Sequence, residues 1–248
     1  MPMSHIGIRG SLAALAMFGA MVPVLVAQAP QEIPVSWWSG TTIAELDGAN
    51  DGYLVNGARL GPGKIGRGFS FDGVDDYVLV PPHPGLNTGD KGSIAFWMRP
   101  AAANLMDTCC QGLVTTDFFG VEIAPGIDAR VGVIFFVYTT DGGWVHTSDT
   151  NGGGAPVSPG DWHHVVGTYD GAQLQLYIDG VVAGNPRLHT GTILPMLPGS
   201  FLSIGSEDGR RSAVNGGQRY FHGDIDEVAI YGRALTPQEV FALFERGQ

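Results

Sequence analysis

From Val35 onward the chain is cut every few residues by Gly, Pro, Asn or Asp into short apolar or alternating runs. Such punctuation leaves room for strands and turns but not for long helices. With 38 Gly and 16 Pro in 248 residues, and only 15% charged residues, helical bundles and coiled coils are excluded. In SIAFWMRP, Ile94, Phe96 and Met98 fall on one face and Ala95, Trp97 and Arg99 on the other. QLQLYIDG repeats the period with Leu174, Leu176 and Ile178, and Asp179-Gly180 supplies a hairpin turn. Val131 to Tyr138 is apolar on both faces, which calls for a strand in the middle of a sheet packed on both sides. Roughly a dozen strands of this kind predict an all-β, two-sheet antiparallel jelly-roll sandwich. One helix closes the chain: Thr236 caps it, Pro237 opens it, and Glu239 completes a capping box ahead of Val240, Leu243 and Phe244.

Residues 1–29 read as a signal peptide, since Arg9 is followed by an apolar run ending in the small residues Ala27 and Ala29. The expectation is a secreted or extracytoplasmic protein, at the cell surface or in a periplasm, whose residues 30–248 form one jelly-roll domain with no membrane span. Thirteen basic against 24 acidic residues give a formal charge of -11, the wrong sign for nucleic acid. The two cysteines, Cys109 and Cys110, are adjacent and cannot staple distant segments. A vicinal disulfide, an intermolecular bridge and free thiols all remain open.

Four stretches carry a family pattern: GKIGRGFSFDGVDDYVLV, SIAFWMRP, DWHHVVGTYDGAQLQLYIDG and GDIDEVAIYGRALTPQEV. Together they resemble the laminin-G-like jelly-roll domains of the concanavalin A-like lectin and glucanase superfamily. The resemblance implies two antiparallel sheets followed by a short helix. It leaves function open, because the superfamily holds carbohydrate binders, adhesion modules, pentraxins and glycoside hydrolases. SIGSEDGRRSAVNGGQRYFHGDIDEV is similar to the calcium-binding segment of the pentraxins, which places Glu207, Asp208 and Gln218 on ligand positions, with Asp75 and Asp76 as the pair from an earlier strand start. Oxygen ligands from two loops are what calcium requires. In superfamily relatives a second, structural calcium uses an aspartate of the final strand. Here that position is Asp226, with Asp47 or carbonyls near Gly52 completing the shell. Alternation sets Asp226 on the face of Val228 and Ile230, so its carboxylate needs either a metal or backbone N–H donors from LDGANDG.

Catalytic patterns fail one by one. The ExDxxE string of the superfamily's retaining glucanases is absent; ELDGAN has Asn50 at the second glutamate, so Glu45 and Asp47 read as turn and ion residues. Glu122 is a lone acid assigned to the surface. His163 and His164 are strand neighbours and point to opposite faces, whereas His222 and Asp224 share one. No GxSxG elbow occurs. GPGKIG satisfies GxGxxG but leads into a strand, so its glycines serve turn geometry. Trp144 and Tyr220 are the candidates for stacking a sugar ring; Trp37, Trp38, Trp97 and Trp162 lie in strands and are assigned to the core. The expectation is an exported, non-catalytic recognition module binding a glycan or an extracellular protein, with calcium as a cofactor. The alternatives are a glycoside hydrolase or lyase of the same fold and a structural adhesive module.

Overall fold

The computed structural model describes residues 33–44, 50–101, 110–124, 131–148, 153–207 and 219–248. The signal segment, Asp47, Cys109, Asp208 and Gln218 therefore lie outside the described residues. In chain order the strands of the first half are β1 (Ser36–Trp38), β2 (Tyr53–Val55), β3 (Arg59–Pro62), β4 (Arg67–Asp72), β5 (Tyr77–Val80), β6 (Gly92–Pro100), β7 (Gly112–Thr115) and β8 (Phe119–Ala124). Then come β9 (Val131–Thr139), β10 (Gly143–His146), β11 (Ala155–Val157), β12 (His163–Tyr169), β13 (Gln173–Ile178), β14 (Val181–Leu188), β15 (Leu202–Ile204) and β16 (His222–Tyr231). Helix α1 spans Pro237–Arg246.

Two antiparallel sheets result. The first runs β14-β13-β12-β6-β16-β4-β3, with β1 also paired to β16; the second runs β10-β9-β8-β7-β15-β5-β2, with β11 paired to β9. This is the expected jelly-roll sandwich with its C-terminal helix. Phe96, Val165, Leu176 and Ile225 of the first sheet and Val121, Val133, Phe135 and Ile204 of the second are buried in one shared core. Each such side chain contributes about 1.5–3 kcal/mol when fully buried. The sheets meet so closely at Gly167 that a Cβ there would run into the Phe135 ring. β9 is apolar on both faces, as its sequence demands: Phe135 and Val137 enter the core while Ile134 and Phe136 are buried on the opposite side.

The helix behaves as its sequence predicts. Thr236 Oγ1 accepts the Glu239 N–H at 3.3 Å and the Glu239 carboxylate accepts the Thr236 N–H at 2.7 Å. Arg233 clamps the same carboxylate with two bonds of 2.9 Å. Val240 is buried against Ala95, Val166, Tyr177, Ala229 and Tyr231, so α1 covers part of the outer face of the first sheet. Trp97 belongs to this outer layer and not to the space between the sheets. Its ring lies 5.8 Å from Phe244 and 5.1 Å from His164, whose imidazole burial pushes down to about 4. Trp38 is fully buried, as assigned, whereas Trp37 is 37% exposed and donates to Glu227 Oε2 at 2.8 Å. Trp162 is only half-buried. Among the described residues no helix is long and apolar enough to cross a membrane.

One of the register shifts among the described strands has consequences for the site. Opposite β6 the register of β16 shifts between Asp226 and Ala229, and Glu227 takes φ 53°. This bulge reverses the parity expected from sequence. Val228 and Ile230 turn into the core, while Asp226 stays across from Trp97 on the outer face.

Candidate functional site

β4 and β5 belong to different sheets, so the turn FDGVDDY carries the chain across the sandwich edge. There Asp72, Asp75 and Asp76 each offer a carboxylate oxygen within 4.8 Å of the other two. Local bonds shape the turn. Asp72 Oδ1 accepts the Val74 N–H at 2.8 Å, Asp76 Oδ2 accepts the Asp72 N–H at 3.0 Å, and Asn56 Nδ2 donates to the Asp75 carbonyl at 2.6 Å. Asp72 is exposed, but Asp76 is only 3% exposed and its Oδ1 has no hydrogen-bond partner. A buried carboxylate oxygen left unbonded is costly unless a cation meets it. Three carboxylates, Asp76 among them, offer the hard-oxygen donors that a calcium shell draws on.

Asp75 and Asp76 are thus brought together as expected, and Asp72 joins them. The acids at i, i+3 and i+4 of this turn were the signal for Asp72. Glu207 is not part of the cluster. It is buried, and its Oε2 lies 3.3 Å from Arg219 Nε. Tyr220 does approach the acidic turn: its ring is 6.2 Å from Tyr77, which in turn stacks on Phe201 at 5.9 Å. Burial, with Tyr77 and Asp75 nearby, raises the Tyr220 phenol above its ordinary value. Trp144 is 44% exposed in edge strand β10, its ring 4.5 Å from His146. Five strand steps at about 4.8 Å each separate that edge from β5, so Trp144 and the acidic turn form no common site.

Asp226 is satisfied by backbone, from a loop other than the expected one. Ile65 N–H donates to its Oδ2 and Glu227 N–H to its Oδ1, both at 2.9 Å, and Lys64 N–H adds a third bond. The Lys64 and Ile65 donors belong to GPGKIG, whose glycines let the backbone approach: a Cβ on Gly63 would stand 2.5 Å from Asp226 Oδ2. N–H groups aimed at both oxygens give the Asp226 carboxylate the backbone partners that its buried place requires. Burial outweighs these bonds and pushes the Asp226 carboxyl up to about 6, and burial with the neighbouring Asp226 charge takes Glu227 to about 7. Glu122, expected at the surface, is 1% exposed on β8.

One arrangement escaped sequence reasoning. His163 Nδ1 lies 2.8 Å from Asp179 Oδ2, and its Nε2 lies 3.0 Å from Ser158 Oγ. The layout resembles a nucleophile, base and acid, but its polarity is reversed. Ser158 gives its single proton to Asp161 Oδ2 at 2.9 Å, so its oxygen can only accept from Nε2–H. Burial acts against the charged imidazole, yet the hydrogen bond and charge of Asp179 outweigh it and raise its pKa. With Nε2–H donating to Ser158, that nitrogen has no lone pair with which to take the serine proton. Cys110 is disulfide-bonded, which excludes the free-thiol reading for that residue.

Two stacked antiparallel sheets with a terminal helix define a concanavalin A-like jelly roll. Residues 72–241 match the laminin-G family Laminin_G_3 of the concanavalin A-like lectin/glucanases superfamily, and the chain belongs to that family. A comparison with curated proteins finds no match. Among solved structures, domain 4 of AbnA, a GH43 extracellular arabinanase from Geobacillus stearothermophilus in complex with arabinotriose, aligns with TM-score 0.64 and 18% identity over 85% of this chain and 97% of that one. The binding domain of Paraclostridial Mosquitocidal Protein 1 aligns at 0.62 and 19% identity, covering 85% of this chain and 51% of that one. Trypanosoma rangeli sialidase, in complex with the inhibitor DANA, aligns at 0.56 and 17% identity over 90% and 34%. At these identities the likeness is one of fold.

Proposed function

We propose that the protein is an exported, non-catalytic recognition module that binds carbohydrate, with calcium held at the β4–β5 turn by Asp72, Asp75 and Asp76. The observation that carries the calcium assignment is the buried, unpartnered Oδ1 of Asp76 inside a three-carboxylate cluster. Calcium there would offset two of the cluster's three negative charges and fix the edge between the sheets. Carbohydrate as the partner class is supported by the arabinotriose complex of the aligned arabinanase domain. The reversed proton order at Ser158 and His163 argues against hydrolysis at that site.

Calorimetric titration of chelator-treated protein with calcium chloride tests the assignment. Extracellular modules bind calcium at about 10⁻⁴–10⁻³ M. At a hundredfold excess over Kd the linkage stabilisation is about 2.7 kcal/mol, a rise of several degrees in Tm. Both the heat and the rise are expected to vanish in Asp76→Asn. Absence of heat and of any Tm change in the wild type would remove calcium from the account.

A further inference from the structure

The outer face of the first sheet carries a cleft of about 330 Å³ beside the acidic turn. The strand register shows how it is built. Arg59 of β3 pairs with Ser70 of β4, Ser70 with Asp224 of β16, and Asp224 with Arg99 of β6, so four polar side chains form one row across four strands. At about 4.8 Å per strand the row is about 14 Å long. Its ends are guanidinium groups and its floor is small. Asp224 Oδ2 accepts from Arg99 Nε at 3.1 Å and from Nη2 at 2.9 Å, and the Arg99 guanidinium lies 5.0 Å from the Trp162 ring centre. In the next row His222 stands across from Asp72, and Asp76 closes the end of the cleft.

Resting on the reading that the chain binds carbohydrate, we propose that this cleft is the sugar site and that its ligand is a neutral oligosaccharide laid across the strands. Each sugar hydroxyl can donate to a carboxylate and accept from a guanidinium, and the row presents both, with the Ser70 hydroxyl between Arg59 and Asp224. Arg99 is already paired with Asp224, so the cleft offers no cluster of free guanidinium groups for an acidic sugar. The volume lies at the lower end of the range for small-molecule sites, about 300–1,000 Å³, and suits a short saccharide. Trp144, on the far edge of the other sheet, takes no part.

Isothermal titration with arabinotriose, xylotriose, cellotriose, maltotriose and trigalacturonate tests this. At least one neutral trisaccharide is expected to bind, with trigalacturonate inert. Arg59→Ala and His222→Ala are each expected to weaken binding about tenfold, the loss of one hydrogen bond, with Tm unchanged. Trp144→Ala is expected to bind as the wild type does. Preference for trigalacturonate, no binding to any neutral member, or wild-type affinity in both cleft variants overturns the proposal. Sugar binding that survives both cleft variants but fails in Trp144→Ala would move the site while leaving the recognition reading intact. The calcium titration, which uses no sugar, judges the metal assignment separately.

Discussion

The outer face of the first sheet has two halves made from the same strands. Toward one end β6 and β16 present Ala95, Ala229 and Tyr231, and helix α1 seals them with Val240. Toward the other they present Arg99 and Asp224, joined by Arg59 and Ser70, and the face is left open as a cleft. Between the halves sits the Glu227 bulge, with Asp226 cradled by the Lys64–Ile65 turn and Lys64 Nζ 4.5 Å from the Trp97 ring centre. A sheet face is thus either consumed by packing or left open, according to what each strand carries on either side of a single bulge.

The largest test of this division is Trp97→Ala on the sealed side. Trp97 is 2% exposed and touches α1 through Phe244, so its loss is expected to cost about 3–5 kcal/mol in denaturant unfolding. On the open side, Arg59→Ala is expected to stay within about 0.5 kcal/mol. Similar costs at both positions would erase the distinction.

The boundary itself should respond to pH. Folding raises the Asp226 and Glu227 carboxyls to about 6 and about 7, so the folded state prefers their protonated forms. Their contribution is fully present below about pH 4 and is lost as pH rises through 6 to 7. Melting curves should therefore show a loss of up to a few kcal/mol between pH 4 and 8 that flattens in Asp226→Asn/Glu227→Gln. A wild-type slope unchanged in the double variant would contradict the assignment.

Gly63→Ala probes the cradle more gently. The added methyl meets Asp226 Oδ2 and the backbone of Arg67, for an expected cost of about 1–3 kcal/mol by thermal unfolding. Stability equal to wild type would mean that the loop does not hold Asp226 closely. Smallest is Glu239→Gln, expected to cost about 1 kcal/mol at neutral pH through the capping box and the Arg233 pair. The Arg233 hydrogen bonds hold Glu239 down at about 2, so this contribution is present above about pH 4.5 and fades as pH falls toward 2. A difference that persists unchanged at pH 2 would rule out the ionised carboxylate as its source.

Local rules made the sandwich and the helix legible: strand alternation in β6 and β13, and Thr236 with Glu239 at the helix start. Asp75 and Asp76 were legible as a candidate cation pair because adjacent acids in a turn stand out. The bulge was not, since one residue at positive φ leaves no mark in the sequence and inverts every face assignment after it. Trp97 was legible as a buried strand residue, but the helix that covers it was not, because alternation cannot say which face a later helix will cover. The row from Arg59 to Arg99 exists only through strand register, a tertiary property joining four segments far apart in sequence.

The central claim is that the protein holds its partner without altering it. Affinity electrophoresis through gels cast with soluble arabinan, xylan or β-glucan, run beside an assay for newly formed reducing ends, tests that directly. Retardation in at least one gel with no reducing ends released is the expected result. Release of reducing ends, or free migration in every gel, would contradict it.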